Sequence, residues 1–506
     1  MNTNLLLPRG YRNADQLHQK LHQANETVIT RSGGERTLAL FHGMAKRVPA
    51  YKEFLREHNL DPSKIRTIAD LKLVPPIDKD NYLRKYSREM LCWDGTFGQG
   101  SWVISTTSGS TGKPYYFPRE ASQDWQYAAT AELYLRNNFS IQTRRTLYIV
   151  AFPMGAWIGG LFTYEAIKKV AEHGAYDLSI ITPGIHKQEV INAIAQLGDS
   201  FDQVIIGAYA PFLKDILDDG TRQGINWPSY NLGFVFSAEA FTETFRDYVL
   251  DVIKPKDKLR ATLNHYGTVD LGTMAHETPE SILIRRQLIQ DDALAAIFPE
   301  ASRQPTLCQY DPKLFYFEEV SGNLLCSAFS GIPLVRYNLK DYGGTIKRSV
   351  LHQKLNANNI DIDELIKTNG ISDTTWNLPF VYVYERNDFS VSYYAFLIYP
   401  DMIRRAIQQP QFDASITGKF TMLVDYNESG RQQLNIHIEK KHSIDSSHEL
   451  TTQLQEAIHQ TLLHDSSEYR ETAGVVGEVV RPLIHLWNYE DQAYFKSGTK
   501  QKWVIK

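Results

Sequence analysis

Thr106-Thr107-Ser108-Gly109-Ser110-Thr111-Gly112-Lys113-Pro114 is the stretch on which the reading of this chain turns. It carries hydroxyls, two glycines and one lysine, and the segment before it, Ser101-Trp102-Val103-Ile104-Ser105, alternates polar and apolar residues. That alternation predicts a strand running into a polar loop. Glycine lets a backbone come close to a ligand, successive N–H groups form an anion nest, and the hydroxyls and lysine add donors. The loop is therefore a candidate phosphate cradle. It is not a Walker A loop, which needs a longer spacer between its glycines and a Lys-Ser/Thr pair. Pro114 after the lysine also disfavours a helix starting there.

The chain has 506 residues, too many for one core of ordinary size, so at least two domains are expected. A hydrophobic share of 42% with 22% charged residues is globular in character. The net charge is −4 and the basic residues are scattered, which gives no surface suited to nucleic acid or an anionic membrane. Cys92, Cys308 and Cys326 lie far apart and form no C-x-x-C pair, as fits a reducing cytoplasm and not a disulfide framework. The opening residues hold too short an apolar run for a secretory signal. The longest apolar run, Leu147 to Phe162, contains Pro153 and falls short of a spanning helix; it predicts a buried strand and turn.

Working outward from the loop, Leu38 to Asn59 has apolar residues at helical spacing. Pro75-Pro76-Ile77-Asp78-Lys79 reads as a turn. Beyond the loop, helices are predicted over Trp125–Phe139, Tyr164–His173 and Lys187–Leu197. They alternate with strands over Thr146–Phe152, Leu178–Thr182 and Gln203–Ile206. This alternation predicts an α/β domain with a largely parallel sheet, whose ligands gather at the carboxyl ends of the strands beside the glycine loop. After about residue 385 the texture changes. A strand-like Val391–Tyr399, a helix from Pro400, strands Phe420–Asp425 and Gln433–Glu439, a helix Ser447–His464 and a strand near Val479–Leu486 form an α+β module.

The loop string Thr107 to Pro114 resembles the phosphate-binding signature of the adenylate-forming (acyl-activating) enzyme superfamily. Five further segments resemble parts of the same machinery, in order along the chain. Ser237-Ala238-Glu239-Ala240 resembles the Gly-Ala-Glu-Pro turn of the phenylacetate–CoA ligase branch, which lies against adenine; it also reads as a helix cap, with Ser237 or Thr242 in that role. Tyr266-Gly267-Thr268-Val269-Asp270 is similar to Tyr-Gly-x-x-Glu, implying a tyrosine stacked on the base and an acid, here Asp270, that helps hold Mg²⁺. Pro333-Leu334-Val335-Arg336-Tyr337-Asn338-Leu339-Lys340-Asp341 resembles Pro-x-x-Arg-Tyr-x-x-x-Asp, implying that Asp341 binds the ribose hydroxyls. Glu385-Arg386-Asn387-Asp388 stands where the family has Gly-Arg-x-Asp, with Arg386 a ribose or phosphate contact and Asp388 the hinge. Lys496 to Val504 resembles the terminal lysine loop; Lys500 best matches the catalytic lysine and Lys502 is its rival. The lead-in from Val48 to Tyr82 is similar to that of phenylacetate–CoA ligases, so the resemblance runs from about residue 38 to the end.

Two departures stand out. Tyr342 to Tyr384 has no cysteine where many members of the branch carry a cluster, so no structural zinc is expected. Tyr394-Ala395 falls where the branch has an Arg-Gly pair that lets backbone approach the pantetheine arm of CoA.

The resemblance thus implies an α/β fold: a large N-terminal adenylate-forming domain with mixed or parallel sheets, residues 1–384, and a small mobile α+β lid, residues 385–506. It implies ATP and Mg²⁺, with phosphates held by Thr107, Ser108, Gly109, Ser110, Thr111, Gly112 and Lys113. The nucleotide would meet Ser237, Ala238, Glu239, Tyr266, Gly267, Thr268, Asp341 and Arg386, and the acid pocket would include Phe152 and Trp157. The expected activity is acyl-adenylate formation from a carboxylic acid, then transfer to an acceptor. By resemblance that acceptor is CoA; the alternatives are an amine or a carrier-protein thiol, or a non-catalytic nucleotide-binding protein.

Overall fold

The computed structural model describes residues 7–98, 101–106, 115–156, 158–299, 304–384, 390–394, 396–426, 432–498 and 500–505. The phosphate-loop candidates 107–113, Trp157, Arg386, Asp388 and Ala395 lie outside the described residues.

Helices α1 (Ala14–Gln23), α2 (Glu26–Arg47), α3 (Pro49–Glu57) and the short α4 (Arg88–Leu91) open the chain. The helical spacing read over Leu38–Asn59 is two helices, because Pro49 cannot extend α2 but suits the first position of α3. Asn25 caps α2 by accepting from the Thr27 N–H. Strands β1 (Val103–Thr106) and β2 (Tyr116–Arg119) then pair antiparallel, Thr106 opposite Tyr116. The glycine loop therefore joins the two strands of a hairpin and does not leave a strand of the main sheet, as the sequence reading placed it.

The α/β alternation follows: α5 (Ala121–Phe139), β3 (Thr146–Ala151), α6 (Ile158–Gly174), β4 (Leu178–Ile181), α7 (Lys187–Leu197), β5 (Gln203–Ala208), α8 (Ala210–Arg222), β6 (Leu232–Ser237), α9 (Glu243–Ile253) and β7 (Thr262–Thr268). Then come β8 (Gly272–His276), α10 (Pro279–Gln290), α11 (Leu294–Ile297), β9 (Thr306–Gln309), β10 (Phe315–Val320), β11 (Asn323–Ala328) and β12 (Leu334–Ile346). Helices α12 (Arg348–Ala357) and α13 (Ile362–Thr368) and strand β13 (Phe380–Val383) occupy the stretch after Tyr342 that lacks cysteine. An 11-stranded sheet runs β10-β11-β12-β13-β9-β8-β7-β6-β5-β3-β4. Only β4, β3, β5, β6 and β7 pair in parallel; the rest of the sheet is antiparallel, so the sheet is mixed. Apolar side chains of α7, α8 and α9 cover one face of the parallel half, and α5 and α6 cover the other.

The carboxyl-terminal segment carries hairpin β14 (Val391–Tyr393)–β15 (Phe396–Ile398), helix α14 (Pro400–Ile407), strands β16 (Ile416–Tyr426) and β17 (Gln432–Lys440), helices α15 (His448–Asp465) and α16 (Ser467–Val476), and strand β18 (Leu483–Trp487). The strand-like run Val391–Tyr399 is thus a turn-broken hairpin, and α16 is a helix the sequence reading missed. Leu434, Ile436 and Ile438 of β17 join apolar residues of α14 and α15 in a separate core cluster whose members all come from this segment. The chain end returns to this sheet, Met422 N–H donating to the Trp503 carbonyl and Ile505 N–H to the Met422 carbonyl. Among the described residues no helix is long and apolar enough to cross a membrane.

Candidate active site

Two segments singled out in the sequence meet through their own tyrosines. Tyr266, near the end of β7, donates its hydroxyl to Asp341 Oδ2 of β12 at 2.6 Å. Tyr337 of β12 donates in the opposite sense to Asp270 Oδ2, in the turn after β7. Burial and the neighbouring carboxylate push both phenols well above their ordinary range, so each remains a donor. Arg336 and Lys340, with φ of 54° and 62°, sit in the left-handed region at either end of this stretch of β12, where the register to β11 shifts.

Gly267 has a structural role beside the nucleotide-side one its motif implies. A Cβ there would lie 2.7 Å from the Gly272 carbonyl oxygen, so the close approach it permits is that of the β7–β8 hairpin.

The lead-in read as a turn belongs to this site. Ile77 N–H donates to the Arg336 carbonyl and Asn338 N–H to the Ile77 carbonyl, which straps residues 77–79 beside β12. Arg336 donates through its guanidinium to the Lys72 carbonyl at 3.0 Å, and also to the Val74 carbonyl. The strap places the Lys79 ammonium 3.4 Å from Asp270 Oδ2. Sequence reasoning missed Lys79, because nothing local distinguishes it from a solvated lysine. Asp270 is 6% exposed, and its Oδ2 is shared by a phenol and an ammonium. A lone buried carboxylate already neutralised in this way does not suit a divalent cation, which favours several free oxygens. Among the described residues no other cluster could hold a metal ion.

The flanks of the glycine loop reach the same place. Thr106 N–H donates to the Ala156 carbonyl beyond β3 at 2.8 Å, and Tyr115 donates its hydroxyl to the Leu83 carbonyl at 3.1 Å. Burial pushes Tyr115 up to about 12, with the Asp270 charge among the further causes.

The adenine-side candidates sit at the end of β6. Ala238 is exposed with φ of 70°, a strained value for a residue with a Cβ, whereas Glu239 is buried. Thr242, not Ser237, caps α9, accepting from the Phe245 N–H. The Glu239 carbonyl accepts from the Asn264 side-chain amide at 3.2 Å, and the Asn264 N–H donates to Glu277 at 2.9 Å. Glu277 is fully buried against Arg246 and Arg285, a network that fixes the floor of the turn. Phe152, at the end of β3, is 2% exposed and meets Tyr209 edge to face with ring centroids 5.5 Å apart. Burial, and next the Glu239 charge, raise the Tyr209 phenol. Phe152 therefore lies one side chain away from the turn.

The lysine loop docks on that turn. The Gln501 N–H donates to Glu239 Oε1 at 3.3 Å, across 262 residues of sequence. Gly498, with φ of 71°, packs so closely on Ile185 that a Cβ would lie 2.5 Å from the Ile185 Cβ. Lys500 is exposed and forms no ion pair among the described residues, while the Lys502 carbonyl accepts from Thr421 in β16. Below the loop, charged side chains join the carboxyl-terminal segment to α7 and α8. Lys419 of β16 pairs with Asp215 and with Glu439, Lys187 with Asp219 and Glu490, and Lys441 with Asp218.

The 2-hydroxyisobutyryl-CoA ligase, in its postadenylation state with R3-HIB-AMP, superposes with a TM-score of 0.60 at 14% identity, over 93% of this chain and 89% of that one. AtGH3.15, an acyl acid amido synthetase in complex with 2,4-DB, gives 0.59 at 14% identity, over 99% of this chain and 95% of that one. This chain has the fold of these ligases. The anthranilate CoA ligase AuaEII with anthranoyl-AMP shares this ligase fold at a TM-score of 0.50 and 12% identity, over 90% of this chain and 79% of that one. No family model and no curated protein matches the sequence.

Proposed function

We propose that this chain is an ATP-dependent ligase that activates a carboxylic acid as its acyl-adenylate and then passes the acyl group to an acceptor. The observation that carries this reading is the crossed pair Tyr266–Asp341 and Tyr337–Asp270, which joins two nucleotide-motif candidates into one braced surface. The docked lysine loop supports it from the other side.

In the first step a carboxylate oxygen attacks the α-phosphorus of ATP; the bond from that phosphorus to the bridging oxygen breaks, and pyrophosphate leaves. Residues 107–113 hold the phosphates, Asp341 and Arg386 the ribose, and the turn Ser237-Ala238-Glu239 with Tyr266, Gly267 and Thr268 the base. Lys500 offsets the charge that develops on the reacting oxygens. Phe152 and Trp157 face the acid, whose aromatic surroundings favour an aryl or medium acyl group. Mg²⁺ bound to the ATP phosphates would offset their charge, and the pairing of Asp270 with Lys79 argues against Asp270 as its direct ligand. In the second step a thiol or amine attacks the acyl carbon, AMP leaves and the acceptor loses its proton to solvent. Residues 1–384 and 385–506 act as two domains that rotate about Asp388 between the steps, in the cytoplasm. The three cysteines are buried and their thiols are raised by burial, so no cysteine of this chain carries the acyl group.

CoA is the first acceptor to test. An amine is favoured over a carrier-protein thiol as the second, and Tyr394 is the observation behind it. At φ of 45°, with its N–H held by Gln432 Oε1 at 2.6 Å, it stands where the branch has Arg-Gly, and a tyrosine in that place would narrow or redirect a thiol tunnel. Acid-dependent exchange of radiolabelled pyrophosphate into ATP, across aryl, fatty and amino acids without CoA, tests the first step. Product analysis with CoA and with amino acids tests the second. Exchange with no acid would leave a nucleotide-binding protein without turnover.

A further inference from the structure

We propose that Glu239 is a positioning residue for Lys500, coupling the adenine-side turn to the lysine loop; this rests on the adenylation reading above. Lys500 itself is exposed, and no ion pair holds its side chain among the described residues. Its position is set by its neighbours. On one side Gly498 is pressed against Ile185, in a backbone conformation and a space that suit only glycine. On the other, the Gln501 N–H donates to Glu239 Oε1, and both residues are buried, at 9% and 7% exposure. Gln501 is further tied by its side-chain amide to the Phe420 carbonyl and the Thr421 hydroxyl of β16. The peptide after Lys500 is thus clamped between the turn and the carboxyl-terminal sheet.

Glu239 is held in turn. Its carbonyl accepts from Asn264, whose own N–H rests on the buried Glu277–Arg246 pair, and Ala238 before it is strained. A carboxylate is suited to this task, because a charged acceptor makes a stronger bond to a backbone N–H than a neutral one does. Other contacts between the two parts are polar: Lys419 with Asp215, Lys187 with Asp219, Lys441 with Asp218, and Thr242 with Gln408. Such a surface releases more readily than an apolar one of equal area, which suits a loop that must leave before the acceptor enters.

The full-length protein with ATP, followed by hydrogen exchange of the peptide that contains Gln501, decides the matter without an identified acid. In Glu239→Ala the amide should exchange at least about tenfold faster, and in Glu239→Gln, whose neutral carbonyl can still accept but more weakly, the rate should lie between that of Glu239→Ala and wild type. Unchanged exchange in Glu239→Ala would overturn the proposal. Where an acid supports pyrophosphate exchange, Glu239→Ala should lower kcat by about tenfold or more, over and above any rise in KM for ATP from its place in the adenine-side turn. In a Lys500→Ala background the same change should have no further effect. A loss confined to KM, or an undiminished loss in that background, would show that Glu239 acts on the nucleotide and not through Lys500. If every acid fails in the wild type the adenylation reading falls, and the hydrogen-exchange result still decides whether Glu239 docks the loop.

Discussion

Tyr266 and Asp341 are 75 residues apart in sequence and 2.6 Å apart in space, and the hydroxyl of the first donates to the carboxylate of the second. The reciprocal bond, Tyr337 to Asp270, runs the other way between the same two segments. Each segment thus supplies one donor and one acceptor to its partner. The tyrosine of one candidate motif sets the orientation of the acid in the other, so loss of either phenol should be felt at both.

Tyr266→Phe keeps the ring, which lies nearly parallel to Phe317 with centroids 6.1 Å apart, and removes only the bond to Asp341. A hydrogen bond to a charged group is worth about 1.5–3 kcal/mol, so AMP and ATP should bind roughly tenfold more weakly in this variant by calorimetry. Asp341→Asn should lose at least as much.

Gly498→Ala introduces a Cβ into the space held by Ile185 and at a positive φ. Pyrophosphate exchange should fall by about tenfold or more, while ATP affinity stays within about threefold of wild type. Parallel losses of both would place the damage in the nucleotide site.

Asp270→Asn removes the charge facing Lys79. If Asp270 is a brace and not a metal ligand, the Mg²⁺ concentration that half-saturates activity should stay within about threefold of wild type even where the rate falls. A large rise would restore Asp270 as a ligand.

His276 lies opposite His265 on the β7–β8 hairpin, buried, and burial pulls it down to about 3. In the unfolded chain it titrates near about 6.5. Between these values the unfolded chain binds a proton that the folded one does not. The stability it gives is present above about pH 6.5 and is lost as pH falls towards 3, with a slope of about 1.4 kcal/mol per pH unit. His276→Phe removes a buried Nε2 with no hydrogen-bond partner among the described residues and should flatten the fall in melting temperature between about pH 6.5 and 5.

Much of the fold could be read from local pattern. Lys187–Leu197 is a helix with the bounds its periodicity predicts, and β3 and β5 are the apolar runs that alternate with it. What escaped was decided at long range. The antiparallel half of the sheet pairs strands across helices α12 and α13, and no local signal orders β12, β13 and β9 side by side. For the candidate site, Tyr266, Asp270 and Asp341 were singled out as motif members, but their crossed partners could not be, since each bond joins residues in different segments. Lys79 escaped for the same reason: its partner is supplied by the strap of Ile77 along β12. Glu239 was read only as a nucleotide contact, and its bond to the last turn of the chain is a matter of tertiary docking.

The most direct test of the whole account is pyrophosphate exchange into ATP across a panel of carboxylic acids, with wild type, Lys500→Ala and Lys502→Ala side by side. The account predicts exchange that depends on one acid class. It should fall by about a hundredfold or more in Lys500→Ala with ATP binding intact, and stay within about threefold in Lys502→Ala. Exchange that survives in Lys500→Ala, or ATP binding with no exchange for any acid, would contradict it.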